Sequence, residues 1–148
     1  MQAVDLIILA AGKGTRLKSQ LPKVLHPLFG QSLIRHVIAN ASMLPIRKAY
    51  VVVGHGRDAV ETELKAIQAD FSSFEIVPVF QANQAGTGDA VIQVRDAGVD
   101  IADNVLVLAG DVPILRGCSL KALLKQHEEE NNALTLLAAT LDDPTGYG

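Results

Sequence analysis

Leu6-Ile7-Ile8-Leu9-Ala10-Ala11 is an unbroken apolar run that ends in Gly12-Lys13-Gly14-Thr15-Arg16, with Leu21-Pro22-Lys23-Val24-Leu25 close behind. A strand with no polar face is buried on both sides, as in a parallel sheet covered by helices. The two glycines at its end let backbone pass close to a ligand. Lys13, Arg16 and Lys23 then concentrate positive charge beside a buried strand end, a field suited to a polyphosphate.

Two familiar glycine loops do not fit. A P-loop needs glycine five positions before its Gly-Lys pair, where this chain has Ile7, and it wants Ser or Thr where Gly14 stands. A dinucleotide fingerprint would put its third glycine at Leu17 and an acidic residue near the end of the second strand, which here is Gly54-His55-Gly56.

The rest of the chain alternates strands with helices. Periodicity predicts a helix over 32–42 with Ser32 as N-cap, a buried strand over 49–53, and a helix over 58–69. A third strand over 76–80 contains Pro78, which lacks a ladder N–H and so belongs at an edge or a bulge. The loop from Gln81 to Ala90 opens another helix; the uniformly apolar strand 105–109 runs into Gly110-Asp111-Val112-Pro113, and a helix over 119–130 precedes a last strand over 134–141. Such alternation implies right-handed crossovers and a mostly parallel α/β sheet with helices on both faces. Loops at the carboxyl ends of its strands converge on one crevice, so those after the first, third and fourth strands form one site.

Composition narrows the class. A chain of 148 residues buries roughly 70% of its unfolded surface, enough for one core without disulfides. Cys118 is the single cysteine, which excludes an intrachain disulfide framework and fits a reducing compartment. The apolar runs fall short of the roughly 18 residues a membrane span needs, and Asp5 interrupts any signal-peptide pattern, so a cytoplasmic protein is expected. A net charge of -3 gives no general pull on nucleic acid or acidic lipid. Any anion site is therefore local.

In that site Arg16 can grip one phosphate bidentately while the lysines supply mobile point charges; a solvated basic loop is the bland alternative. Asp111 can hold Mg²⁺, an ion usually bound by one or two carboxylates together with substrate phosphates, or it can simply close a turn. Gln81 carries donor and acceptor and can read a base edge, Gly86 permits close stacking of a flat ring, and Thr87 can meet a base or sugar oxygen. His26, His36, His55 and His127 show no metal-ligand spacing with Cys118 and read as structural or solvated. No Ser or Cys pairs by spacing with a histidine and an acid, so covalent acyl transfer has no support.

These blocks, with Gln84-Ala85-Gly86-Thr87-Gly88 and the terminal Asp143-Pro144-Thr145-Gly146-Tyr147-Gly148, closely resemble the uridylyltransferase domain of the bacterial bifunctional enzyme that makes UDP-N-acetylglucosamine. The match runs through the whole chain in order. The resemblance implies a Rossmann-like nucleotide-diphospho-sugar transferase fold and transfer of UMP from UTP to N-acetylglucosamine 1-phosphate. Carried over by residue, it implies that Leu9, Ala10, Ala11 and Gly12 contact the uridine, that Arg16 and Lys23 bind phosphates, and that Gln81, Gly86 and Thr87 surround the uracil. Ala109 and Gly110 would border the substrate, Asp111 would be the Mg²⁺ ligand, and Gly146 would line the sugar site.

Two positions depart from the pattern. Ala109 stands where the family commonly has an aromatic, and Asp89 replaces a frequent histidine after Thr87-Gly88. The turn-like ending reads as a fragment. The family's sugar-binding Glu and Asn, its second metal-binding residue and the trimerising left-handed β-helix that acetylates glucosamine 1-phosphate would lie downstream. The residues leave open another sugar-phosphate or cytidylyl transferase, and a noncatalytic nucleotide-binding regulatory domain.

Overall fold

The structure, a computed structural model, describes residues 2–14, 17–83, 85–143 and 145. Strand β1 (Val4–Ala10) is its centre, flanked by β4 (Ile46–Val53) on one side and β6 (Val105–Ala109) on the other, with β5 (Glu75–Phe80) beyond β4. All these pairings are parallel. A two-residue hairpin, β2 (Pro27–Leu28) and β3 (Gln31–Ser32), leads into α1 (Leu33–Ala41); α2 (Arg57–Asp70), α3 (Thr87–Asp96) and α4 (Gly117–Glu129) complete the chain of elements.

The apolar run divides by pleat. Leu6, Ile8 and Ala10 face a core with Val37 and Ile38 of α1, Val60 and Leu64 of α2 and Leu120 of α4. Ile7 and Ala11 face the other way, with Tyr50, Val52 and Val79, and are covered by Ala90 and Val94 of α3. Helices thus lie on both faces, as alternating elements require. Ser32 caps α1, its hydroxyl accepting from the Arg35 N–H at 3.3 Å and donating to Glu63 at 2.7 Å. Pro78 lies in β5, an edge strand.

At the amino end of β1, Asp5 is fully buried. It accepts from Arg47 Nε at 3.0 Å and Nη2 at 2.7 Å and from the Ala102 N–H at 2.8 Å. Burial pushes its pKa up, but the Arg47 and Ala102 bonds outweigh that and hold it below the ordinary carboxylate value. Arg47 also binds Asp100, tying the segment after α3 to the sheet.

The last expected strand does not form. Residues 134–141 carry no regular structure, and Leu134, Leu136 and Leu137 are exposed. A β-rich composition becomes a strand only against a neighbouring ladder, and here β6, which bonds β1 on one side, has no described strand on its other side. β6 also differs from a strand buried on both faces. Leu106 and Leu108 are buried while Val107 is 43% exposed, so this uniformly apolar strand has one face open. Among the described residues no helix is long and apolar enough to cross a membrane.

Candidate active site

The carboxyl ends of β1, β5 and β6 border one cleft of about 500 Å³. The end of β4 does not reach it. Its continuation, Gly54-His55, lies against Ala11, whose carbonyl accepts from the His55 N–H at 3.3 Å, so that strand end is roofed by the first loop.

Leu9, Ala10, Ala11 and Gly12 form one wall, and Lys23 and Val24 approach it from a short 3-10 turn spanning Lys23–Leu25. The loop folds back tightly at Gly14, which has φ of 59° and whose absent Cβ would stand 2.8 Å from Cβ of Lys23. Both the left-handed backbone and the close approach require glycine there. Gly12 and Gly86 differ: a Cβ on either would meet nothing within 4 Å, leaving open space for a ligand against bare backbone.

The second wall is Gln81, Gly86, Thr87 and Ala90. Gln81 is buried, and its backbone N–H donates to the Val53 carbonyl at 2.9 Å, extending the β4–β5 ladder by one bond. Its side-chain Nε2 donates to Asp89 Oδ2 at 2.6 Å and to the Gly86 carbonyl at 3.3 Å. The third wall is Ala109 and Asp111. Between them Gly110 packs inward rather than on the cleft wall, its N–H donating to the Leu9 carbonyl at 3.0 Å. A Cβ there would come within 3.0 Å of that same oxygen, so the residue fixes the β6 end onto β1.

The structure therefore gathers Leu9, Ala10, Ala11, Gly12, Lys23, Gln81, Gly86, Thr87, Ala109 and Asp111 around one space. Arg16 and Gly146 lie outside the described residues. Lys13 is exposed and is not one of the residues bordering the cleft, although Gly12 and Gly14 on either side of it are. Gly14, Leu17, Val24 and Ala90 also border the space, although no specific role was expected of them. Ala90 carried a usable signal, being one helical turn after Thr87. Leu17 had none, since a lone leucine in a basic loop has no periodic partner.

Lys23 Nζ and Asp111 Oδ2 form an ion pair across the cleft, with both side chains partly exposed. Such pairs are worth about 0–1 kcal/mol, so incoming charge can separate them at little cost. Among the described residues no group of three His, Cys, Asp or Glu side chains could enclose a metal by itself. One partly exposed carboxylate on the wall of the cleft nevertheless fits a hard cation that takes its other ligands from water and phosphate. Of the histidines, His36 Nε2 bonds the Leu28 carbonyl at 2.8 Å and His127 Nδ1 bonds Thr135 at 3.0 Å, both away from the cleft.

The chain is similar to known proteins. The chain is 42% identical over 97% of its length to a bifunctional protein GlmU of Desulfotalea psychrophila, covering 40% of that protein. To the one from Stutzerimonas stutzeri it is 47% identical over 99% of its length, covering 30%. The chain thus spans well under half of these curated relatives. Among solved structures, UDP-glucose pyrophosphorylase complexed with UDP-glucose superposes with a TM-score of 0.70 at 19% identity, over 88% of this chain and 55% of that one. An inositol-1-phosphate CTP transferase from T. maritima gives 0.60 at 18% identity, over 74% and 44%. Both share the nucleotide-diphospho-sugar transferase fold expected from the sequence. The profile of the MobA-like NTP transferase domain matches residues 6–144, nearly the whole chain, and the chain belongs to that family.

Proposed function

We propose that the protein transfers UMP from UTP to N-acetylglucosamine 1-phosphate, forming UDP-N-acetylglucosamine and pyrophosphate with Mg²⁺. The observation that carries this reading is the convergence of Lys23, Gln81 and Asp111 on one cleft from three strand ends. The GlmU relatives and the UDP-glucose pyrophosphorylase neighbour support the same class of reaction.

The nucleophile is a sugar phosphate, already an anion, so no general base is needed. Its oxygen attacks the α-phosphorus of UTP, the bond to the bridging oxygen breaks, and pyrophosphate leaves. Rate then depends on alignment and on neutralising charge. Leu9 to Gly12 hold the uridine against bare backbone, Gln81, Gly86 and Thr87 enclose the base, and Ala109 borders the nucleotide while Gly110 acts from behind the wall by holding the end of β6 onto β1. Lys23 meets the phosphates, a role that Arg16 would share, and Gly146 would line the sugar site. Asp111 would hold Mg²⁺, which supplies charge neutralisation on phosphate oxygens when bound.

Residues 1–148 are, on this reading, the amino-terminal part of a nucleotidyltransferase domain. A downstream acetyltransferase β-helix would trimerise the cytoplasmic parent. Calorimetric titration with UTP, CTP, GTP and ATP, each with Mg²⁺, tests the base assignment, and pyrophosphate release from the full-length protein with N-acetylglucosamine 1-phosphate tests the reaction. Preference for another base overturns the uridylyl assignment. Binding without release in the full-length protein would favour a regulatory nucleotide-binding domain instead. Asp111→Ala is expected to lower turnover by about a hundredfold or more while circular dichroism is unchanged. Undiminished turnover at limiting Mg²⁺ would remove Asp111 from the metal site.

A further inference from the structure

Gln81 is 3% exposed, yet it is one of the residues bordering the cleft. Its Nε2 faces two oxygens, Asp89 Oδ2 at 2.6 Å and the Gly86 carbonyl at 3.3 Å. Neither a carboxylate nor a carbonyl has a hydrogen to give, so the NH₂ end of the amide must be the one turned toward them. Both amide hydrogens are thereby engaged. No described residue donates to Gln81 Oε1, and that oxygen is not among the described buried polar atoms left without a partner. The carboxylate is itself steadied, since Gln93 Nε2 donates to Asp89 Oδ1 at 3.3 Å from the next turn of α3.

We infer that Asp89 is a positioning residue that fixes Gln81 as an acceptor-only reader of the nucleobase, and that this orientation selects uracil over cytosine. The inference rests on the uridylyl reading above. An unrestrained glutamine is ambivalent and can turn either end of its amide to a base. Held by Asp89, it offers only an oxygen. Uracil presents an N3–H to such an oxygen and makes a hydrogen bond. Cytosine presents the N3 lone pair, placing two acceptors face to face. With Asp89 removed, the amide can turn over and donate to cytosine N3, and the Gly86 carbonyl at its longer distance is the one restraint left.

The test is the ratio of kcat/KM for UTP over CTP in the full-length protein, for wild type, Asp89→Ala and Asp89→Asn. Asp89→Ala is expected to lower the ratio about tenfold, chiefly through improved use of CTP, the size of one buried polar contact made or lost. Asp89→Asn is expected to keep the ratio, because its carbonyl oxygen can still accept from Gln81 while the Gly86 carbonyl disfavours the flipped amide. Should Asp89→Ala fail to fold, Asp89→Ser keeps a polar residue in the first turn of α3 but is too short to hold the amide, and the same drop is expected. A wild type that prefers UTP, with variants that keep its ratio, overturns the role of Asp89 alone. A wild type that uses UTP and CTP equally overturns the locked amide. One that uses neither pyrimidine overturns the uridylyl reading and the role of Asp89 with it.

Discussion

Asp5 shows how much one residue contributes away from the chemistry. It sits at the amino end of the strand whose carboxyl end borders the cleft, and it joins β1 to Arg47 on β4 and to the Ala102 backbone. Because folding lowers its pKa, its ionised form stabilises the fold fully above the ordinary carboxylate range, and that stabilisation is lost as pH falls through the lowered value. Urea unfolding across this acid range should show stability falling with pH in the wild type and a shallower dependence in Asp5→Asn. At neutral pH Asp5→Ala should cost about 2 kcal/mol, less than for a wholly buried pair because Arg47 is partly exposed and keeps Asp100. Gly110→Ala belongs at the same scale. The added methyl would press on the Leu9 carbonyl and should destabilise by about 1–3 kcal/mol, measured by the same unfolding curves.

Among the elements, those whose sequence signal was local are the ones that formed as read. Ser32 precedes an apolar period and caps α1; Ser32→Ala should lower stability by about 1 kcal/mol in thermal or urea unfolding. Pro78 could sit in an edge strand, and β5 is one. The uniform apolarity of β6, by contrast, promised burial on both faces, yet Val107 is left half open; the segment at 134–141 has strand composition but no ladder. Burial on a second face and a backbone partner are supplied by other parts of a fold, so neither can be read from the residues that need them. The cleft divides the same way. Lys23, Gln81 and Asp111 stood out because charged or amide groups follow apolar strands, whereas the hold of Asp89 on Gln81 became visible only when α3 brought the two side chains within 2.6 Å.

For the whole molecule, the sheet order β5-β4-β1-β6 separates a part built from neighbouring sequence from a part that closes late. Limited digestion with subtilisin, a protease of broad specificity, should cut first within 134–141, where exposed leucines lie on backbone without regular structure, and should leave the strands of the four-stranded sheet intact. Synthesis proceeds in the opposite sense to this fraying. β1, β4 and β5 can pair once Phe80 has emerged, but the other edge of β1 waits for Val105, its partner opposite Asp5. Long-range parallel pairing is slow, and an open strand edge is prone to wrong partners in the interval. Lys23 is made early and Asp111 late, so the ion pair across the cleft can form only after the last of these strands has been translated. A nascent chain that has reached β5 has the loop proposed to grip phosphate without the acid that balances it.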